Sequence, residues 1–186
     1  MSEPEPVRLT TPLSAEAVAA LEVGDRVLLS GAVYAARDTA HKRLVEMVEA
    51  GAEPPIPLAG QAIYYMGPSP ARPGRVIGSA GPTTSGRMDP YTPALLAAGV
   101  RATIGKGRRS DEVRRALAEH GAVYLGLVGG VAALIARCIV ACDVVAFEEL
   151  GPEAIRRLEF EDLPAFVAND ARGRDLYEEA TAGPVA

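Results

Sequence analysis

Three short segments of this 186-residue chain gather cations beside glycines or hydroxyls: Arg37 to Arg43 with Asp38 and His41, Gly81 to Pro90 with Thr83, Thr84, Ser85, Arg87 and Asp89, and Gly105-Lys106-Gly107. An arginine presents a planar fork of donors that fits a carboxylate with two parallel hydrogen bonds. Glycines let backbone N–H groups approach a ligand closely, and bracketing prolines stiffen a loop. The chemistry these residue types favour is the holding of a small anion. Arg87 would take a carboxylate, Arg37 would add a second cation just past a strand end, and Lys106 would reach the anion between its two glycines. The same residues admit plainer readings. The loop at 81–90 can be a turn whose Thr and Ser cap the helix starting near Thr92, and Arg37 can pair with Asp38 at a helix start. His41 falls on the first turn of the next helix and has no paired acid nearby, so it reads as structural rather than as a general acid or base.

Several chemistries drop out. The spacing from Gly99 to Gly105 is one residue too long for a phosphate-binding GxxxxGK[ST] loop, and Gly107 stands where the magnesium-binding Ser or Thr would be. No GxGxxG, GxSxG, HExxH or EF-hand pattern is present. The two cysteines, Cys138 and Cys142, are too few for a disulfide framework or for an all-protein zinc or iron–sulfur site, and read as free thiols rather than metal ligands. Net charge is −5, yet residues 37–109 hold ten Lys or Arg against five Asp or Glu, while the rest hold nine against nineteen. Cations confined to one segment of an acidic chain suit a small anionic ligand better than nucleic acid. Met1 to Pro12 carries Glu3, Glu5 and three prolines, which is unlike a signal peptide, and a cytoplasmic protein is expected. The longest apolar stretch, Gly121 to Ala136, falls short of the roughly 20 residues a spanning helix needs, so no membrane is expected.

The elements that must position these loops follow from pattern. An apolar content of 48% and a charged content of 23% suit one globular domain, expected over 13–177, with loosely held ends at 1–12 and 178–186. Ser14 caps a short helix over Ala15 to Leu21, and Gly24-Asp25 turns into a strand from Arg26 to Ser30. The spacing of Ala40, Leu44, Met47 and Val48 predicts a helix over 38–50 with Gly51 as its stop. Strand-like runs follow at Gln61 to Met66 and Arg75 to Ser79. Helices at Pro93 to Ala98, Asp111 to His120 and Val131 to Arg137 then alternate with strands at Ala102 to Ile104, Val123 to Leu125 and Val144 to Glu148. Arg156 to Glu161 and Ala165 to Ala168 read as two edge strands. The class is α/β with strands of mixed direction.

Taken in order, Ala36-Arg37-Asp38-Thr39-Ala40-His41-Lys42-Arg43, Ile63-Tyr64-Tyr65-Met66-Gly67-Pro68, Ala80 to Asp89 and Ile104-Gly105-Lys106-Gly107 closely resemble the β region of class I fumarases and L-tartrate dehydratases. The resemblance continues through Gly129-Gly130, Glu148 to Gly151 and Asp162 to Tyr177. It implies a swivelling β/β/α domain with a mixed sheet, packed on a longer α subunit whose three cysteines hold a [4Fe–4S] cluster with one iron free as a Lewis acid. It maps the family's carboxylate-binding arginines onto Arg37 and Arg87, its substrate-contacting lysine onto Lys106 and its threonine base onto Thr83. The expectation is a β subunit, inert alone, that hydrates fumarate to (S)-malate in an αβ or α2β2 assembly. The alternatives are the corresponding subunit of a tartrate dehydratase and a free-standing binding domain for an anionic metabolite.

Overall fold

The computed structural model describes residues 5–181. Strand β1 (Val7–Thr10) and helix α1 (Ala15–Ala19) lead into β2 (Arg26–Ala35) and α2 (Asp38–Glu49). Then come β3 (Ala62–Tyr64), a 3-10 turn (Ser85–Met88), α3 (Thr92–Ala97), β4 (Ala102–Gly105), α4 (Asp111–His120), β5 (Val123–Gly126) and α5 (Ala132–Arg137). The chain closes with β6 (Ile139–Ala146), a kinked 3-10 segment (Glu148–Glu153), β7 (Ile155–Asn169) and α6 (Leu176–Thr181).

The seven strands form one mixed sheet, as the alternating pattern predicted. Strands β2, β3, β4 and β5 run parallel to their neighbours, while β7 pairs antiparallel with β2 and with β5. These pairings close a ring through β2, β3, β4, β5 and β7. Strand β1 adds parallel to the first half of β2, and β6 adds antiparallel to the first half of β7.

Successive residues of a strand point to opposite faces, and here both faces are buried. Ala62, Tyr64 and Met66 join Val33, Ala35, Ile104, Val123, Leu125, Leu158 and Phe160 in a core enclosed by strands. Tyr34, Ile63, Tyr65 and Tyr124 face the other way, against Leu44 of α2, Leu95 and Leu96 of α3, and Val113 and Leu117 of α4. Helices α2, α3 and α4 thus cover this second face. Helix ends follow local chemistry: Ser14 and Ser110 accept from the backbone N–H groups of Ala17 and Val113, and Gly121 ends α4 in the left-handed region.

Four expectations need correction. Arg75 to Ser79 is not a strand: the Ser69 amide donates to the Ser79 carbonyl and the Ser79 amide to the Ser69 hydroxyl, folding residues 69–79 into a loop that pairs with itself. The strand expected at Val144 to Glu148 runs from Ile139 to Ala146, and left-handed Phe147 ends it. The two expected edge strands are one strand, β7, with neighbours on both sides along its length. Charged Glu161-Asp162 and Pro164 are unusual residues inside a paired strand. Asp162 takes a left-handed kink at φ 48°, held by Ser30 and Arg8, and pairing resumes beyond it. Finally, the segment expected to be loosely held contains β1, with Leu9 buried, at its C-terminal end, and α6 reaches past Tyr177. Residues 1–4 and 182–186 of those expected ends lie outside the described residues.

Candidate anion-binding site

The site is built where the parallel strands end. As β2 leaves the sheet, the Ala36 amide donates to the Tyr64 carbonyl, and Arg37 becomes the residue that caps α2. The Arg37 carbonyl accepts from both the backbone amide and the ring Nδ1 of His41, each at 2.8 Å. His41 is buried against Tyr65 and Tyr91, and burial holds its pKa down at about 4 from 6.5. It is therefore neutral at pH 7, and its ring and backbone N–H both hold the Arg37 carbonyl.

The Arg37 side chain lies across Gly67. A Cβ on Gly67 would stand 2.9 Å from the Arg37 Cδ and Nη1 atoms, so only glycine lets the side chain lie there. Its Nη2 is 3.9 Å from Glu153 and its Nε is 3.9 Å from Asp38 Oδ2. The expected Arg37 to Asp38 pair is thus long. Asp38 makes its short contact with Arg87, whose Nε donates to Oδ1 at 3.0 Å. One carboxylate draws together two arginines that lie far apart in sequence.

The second half of the site is a backbone pairing. The Thr83 amide donates to the Tyr65 carbonyl at 2.7 Å, the Lys106 amide to the Thr83 carbonyl, and the Ser85 amide to the Lys106 carbonyl. The loop thus extends the sheet alongside the end of β4, placing Thr83 and Lys106 on adjacent stretches of chain. Among the described residues the Thr83 hydroxyl and the Lys106 ammonium have no hydrogen-bond or ion-pair partner. Of the three hydroxyls in this loop, Ser85 is spoken for. Tyr124 gives its proton to the Gly107 carbonyl, so the Ser85 hydroxyl donates to the Tyr124 oxygen at 2.9 Å. None of the three caps α3, which follows Tyr91 without a side-chain cap, and the capping reading falls.

Sequence reasoning missed the group that holds this loop. Arg109, with a fully buried side chain, donates from Nε to Asp89, from Nη1 to Tyr65 and Thr103, and from Nη2 to Thr92. Its guanidinium also stacks 4.9 Å from the Tyr124 ring. Asp89 uses its other oxygen for the Ser110 amide. The only sequence signal was a cation two residues past Gly107, and nothing local distinguished it from exposed Arg108.

Two clefts, of about 620 and 550 Å3, open elsewhere: one beside Pro54, Pro55 and Ala98, the other between residues 69–79 and α5. Metal chemistry finds no seat among the described residues, where no three His, Cys, Asp or Glu side chains group to hold an ion. Cys138 and Cys142 are free, and burial pushes both thiols up, away from the thiolate a cluster would need. The residues of this chain do not fit an iron–sulfur cluster.

A family model described as the fumarase C-terminus matches residues 1–180. The chain belongs to the fumarase C-terminal family. Relatives in this family include fumarate hydratase 2 of Leishmania major, 43% identical over 86% of this chain and 28% of that protein. The anaerobic class I fumarate hydratase of Escherichia coli is 42% identical over 84% of this chain and 29% of its own length. A Methanocaldococcus jannaschii protein named for the β subunit of an L(+)-tartrate dehydratase is 38% identical over 90% of this chain and 89% of its own length. The chain therefore spans under a third of these two fumarate hydratases and most of the tartrate dehydratase relative. No helix among the described residues is long and apolar enough to cross a membrane.

Proposed function

We propose that this fumarase C-terminal chain is the substrate-clamping β subunit of a hydro-lyase that adds water reversibly to fumarate, giving (S)-malate. The observation that carries the reading is the convergence of Arg37 and Arg87 on Asp38, together with Thr83 and Lys106, whose backbones pair at the end of β4 and whose polar ends have no partner among the described residues. A dicarboxylate needs two cationic seats. Arg37 and Arg87 supply them, Lys106 adds a third positive group, and Thr83 is the base that moves the proton at the carbon opposite the incoming hydroxyl. A threonine hydroxyl is weakly acidic, and neighbouring cations favour its alkoxide.

The complete enzyme would need a longer α subunit. It would carry the [4Fe–4S] cluster that no residue set here fits, and this chain alone would be inactive. Its docking surface has support in exposed apolar side chains on and around α5 and β6: Val128, Leu134, Val140, Val144 and Val145 are all at least 40% exposed, and exposed Val76 lines the cleft beside α5. The strand-enclosed core and the helices on the second face of the sheet suit a swivelling β/β/α domain, working in the cytoplasm as part of an αβ or α2β2 assembly. A second reading, the tartrate dehydratase β subunit, rests on the Methanocaldococcus jannaschii relative of nearly the same length.

Anaerobic co-expression with a cluster-bearing α polypeptide, followed by assays with fumarate and with tartrate, tests both readings. Turnover of fumarate by the pair and not by this chain alone is expected. Turnover by this chain alone would overturn the division of labour.

A further inference from the structure

The clamp contains a carboxylate that the proposed reaction does not use. Asp38 begins α2, where an acidic side chain commonly serves the helix by accepting a first-turn amide. That service is performed by another residue: the Thr39 amide donates to Glu153 Oε2 at 3.1 Å. Asp38 is free to do something else, and its Oδ1 takes the Arg87 Nε at 3.0 Å.

A guanidinium offers two edges to a carboxylate, one through Nε and an Nη group, the other through both Nη groups. With Nε taken by Asp38, the second edge of Arg87 remains, and Arg87 has no other partner among the described residues. The Arg87 side chain is 52% exposed, so without that tether its long stem would sample many rotamers. Asp38 itself is 28% exposed and is fixed by the first turn of α2. We propose that Asp38 is a positioning residue: it holds Arg87 by Nε so that the two Nη groups face the ligand as a preset carboxylate fork.

The proposal rests on the dicarboxylate reading of this site, and it makes a prediction opposite in sign to simple electrostatics. Removing a negative charge next to two arginines should strengthen anion binding if charge alone governs. If orientation governs, losing the tether weakens it. Asp38→Asn separates the two, because its amide oxygen still accepts from Nε while the charge is gone; Asp38→Ala removes both.

The test is titration of the full chain with succinate, with acetate as the single-carboxylate control, following the arginine Nε–H signals by NMR. The Arg87 Nε–H signal is assigned by its loss in Arg87→Lys. In the unmodified chain and in Asp38→Asn, that signal should be protected from exchange, and succinate should bind with closely similar affinity. In Asp38→Ala the protection should vanish and succinate affinity should fall about tenfold, the equivalent of one charge-assisted hydrogen bond's worth of ordering. In an Arg87→Lys background, which has no Nε to tether, Asp38→Ala should cause no further loss. Equal or tighter succinate binding by Asp38→Ala, or the same loss with Lys at 87, would overturn the proposal. If the unmodified chain binds succinate no better than acetate, the dicarboxylate reading fails, while the exchange signal still reports separately whether Asp38 holds Arg87.

Discussion

Two arginine-centred groups lie side by side in this molecule and are built on opposite plans. Arg109 is sealed: its side chain is fully buried, and Nε and both Nη groups donate, to Asp89, Tyr65, Thr103 and Thr92. The Arg37–Asp38–Arg87 group is looser: Arg37 Nε and Asp38 Oδ2 lie buried 3.9 Å apart with no hydrogen bond among the described residues, while half-exposed Arg87 uses Nε alone. A fully buried cation with every donor nitrogen engaged has nothing to offer a ligand, so it can only hold structure. A cation with donors to spare at the rim of a site can recruit an anion. The contrast separates architecture from function more sharply than residue type or exposure does.

The largest test of that contrast is Arg109→Met. It takes the cation from Asp89 and leaves the buried Thr103 hydroxyl without a partner, while Tyr65 and Thr92 keep only each other and the Met88 carbonyl, and should lower unfolding free energy by about 3–5 kcal/mol, read as a shift of the urea midpoint. Arg87→Ala should do the reverse: a stability change under about 1 kcal/mol, because its ion pair is solvent-screened, with loss of most dicarboxylate binding by calorimetry.

The effect of pH comes next. His41 has its folded-state pKa depressed to about 4 from 6.5, so the unfolded chain binds the extra proton first. The stability contributed by neutral His41 is complete above about pH 6.5 and is lost as pH falls towards 4, to a limit of about 3 kcal/mol. His41→Asn can still donate to the Arg37 carbonyl but does not titrate, and its stability should be flatter over that window. An unchanged slope would show that other groups carry the acid sensitivity.

Next is Gly105→Ala. A Cβ there would stand 2.0 Å from the Ser85 hydroxyl, which is buried under the Thr83 loop, and the strain should cost about 1–3 kcal/mol. Smallest in stability is Gly67→Ala, which presses on the adaptable end of the Arg37 side chain. It should leave the melting temperature within a few degrees and weaken dicarboxylate binding several-fold. If Gly67→Ala binds as tightly as the unmodified chain, Arg37 is not a seat for the ligand.

Much of the fold was legible because parallel strands and amphipathic helices announce themselves by period. The helix at Asp111–His120 matches its pattern residue for residue, and β4 and β5 fall within one residue of their apolar runs. What sequence could not convey was long-range pairing. Strand β7 carries Arg156, Arg157, Glu159 and Pro164, a composition that fits an edge, yet it is flanked by β2 on one side and by β6 and β5 on the other. Its charged side chains survive there because they meet solvent or ion partners, as Arg157 meets Glu159. In the site, Arg37, Thr83, Arg87 and Lys106 could be named from their motifs. The tether at Asp38 could not, since its partner lies 49 residues away and the local partner, Arg37, looked sufficient.

The closure of the strand ring also bears on how the chain reaches its native state. Strand β2 ends at Ala35, and the strand that joins it to β5 does not begin until Ile155. Pairings this distant in sequence make a transition state costly to assemble and folding correspondingly slow. The segments bearing Arg37, Thr83, Arg87 and Lys106 emerge from the ribosome long before that closing strand. A nascent chain stalled before Ile155 would therefore hold every residue of the proposed clamp and lack the hoop that keeps them in register.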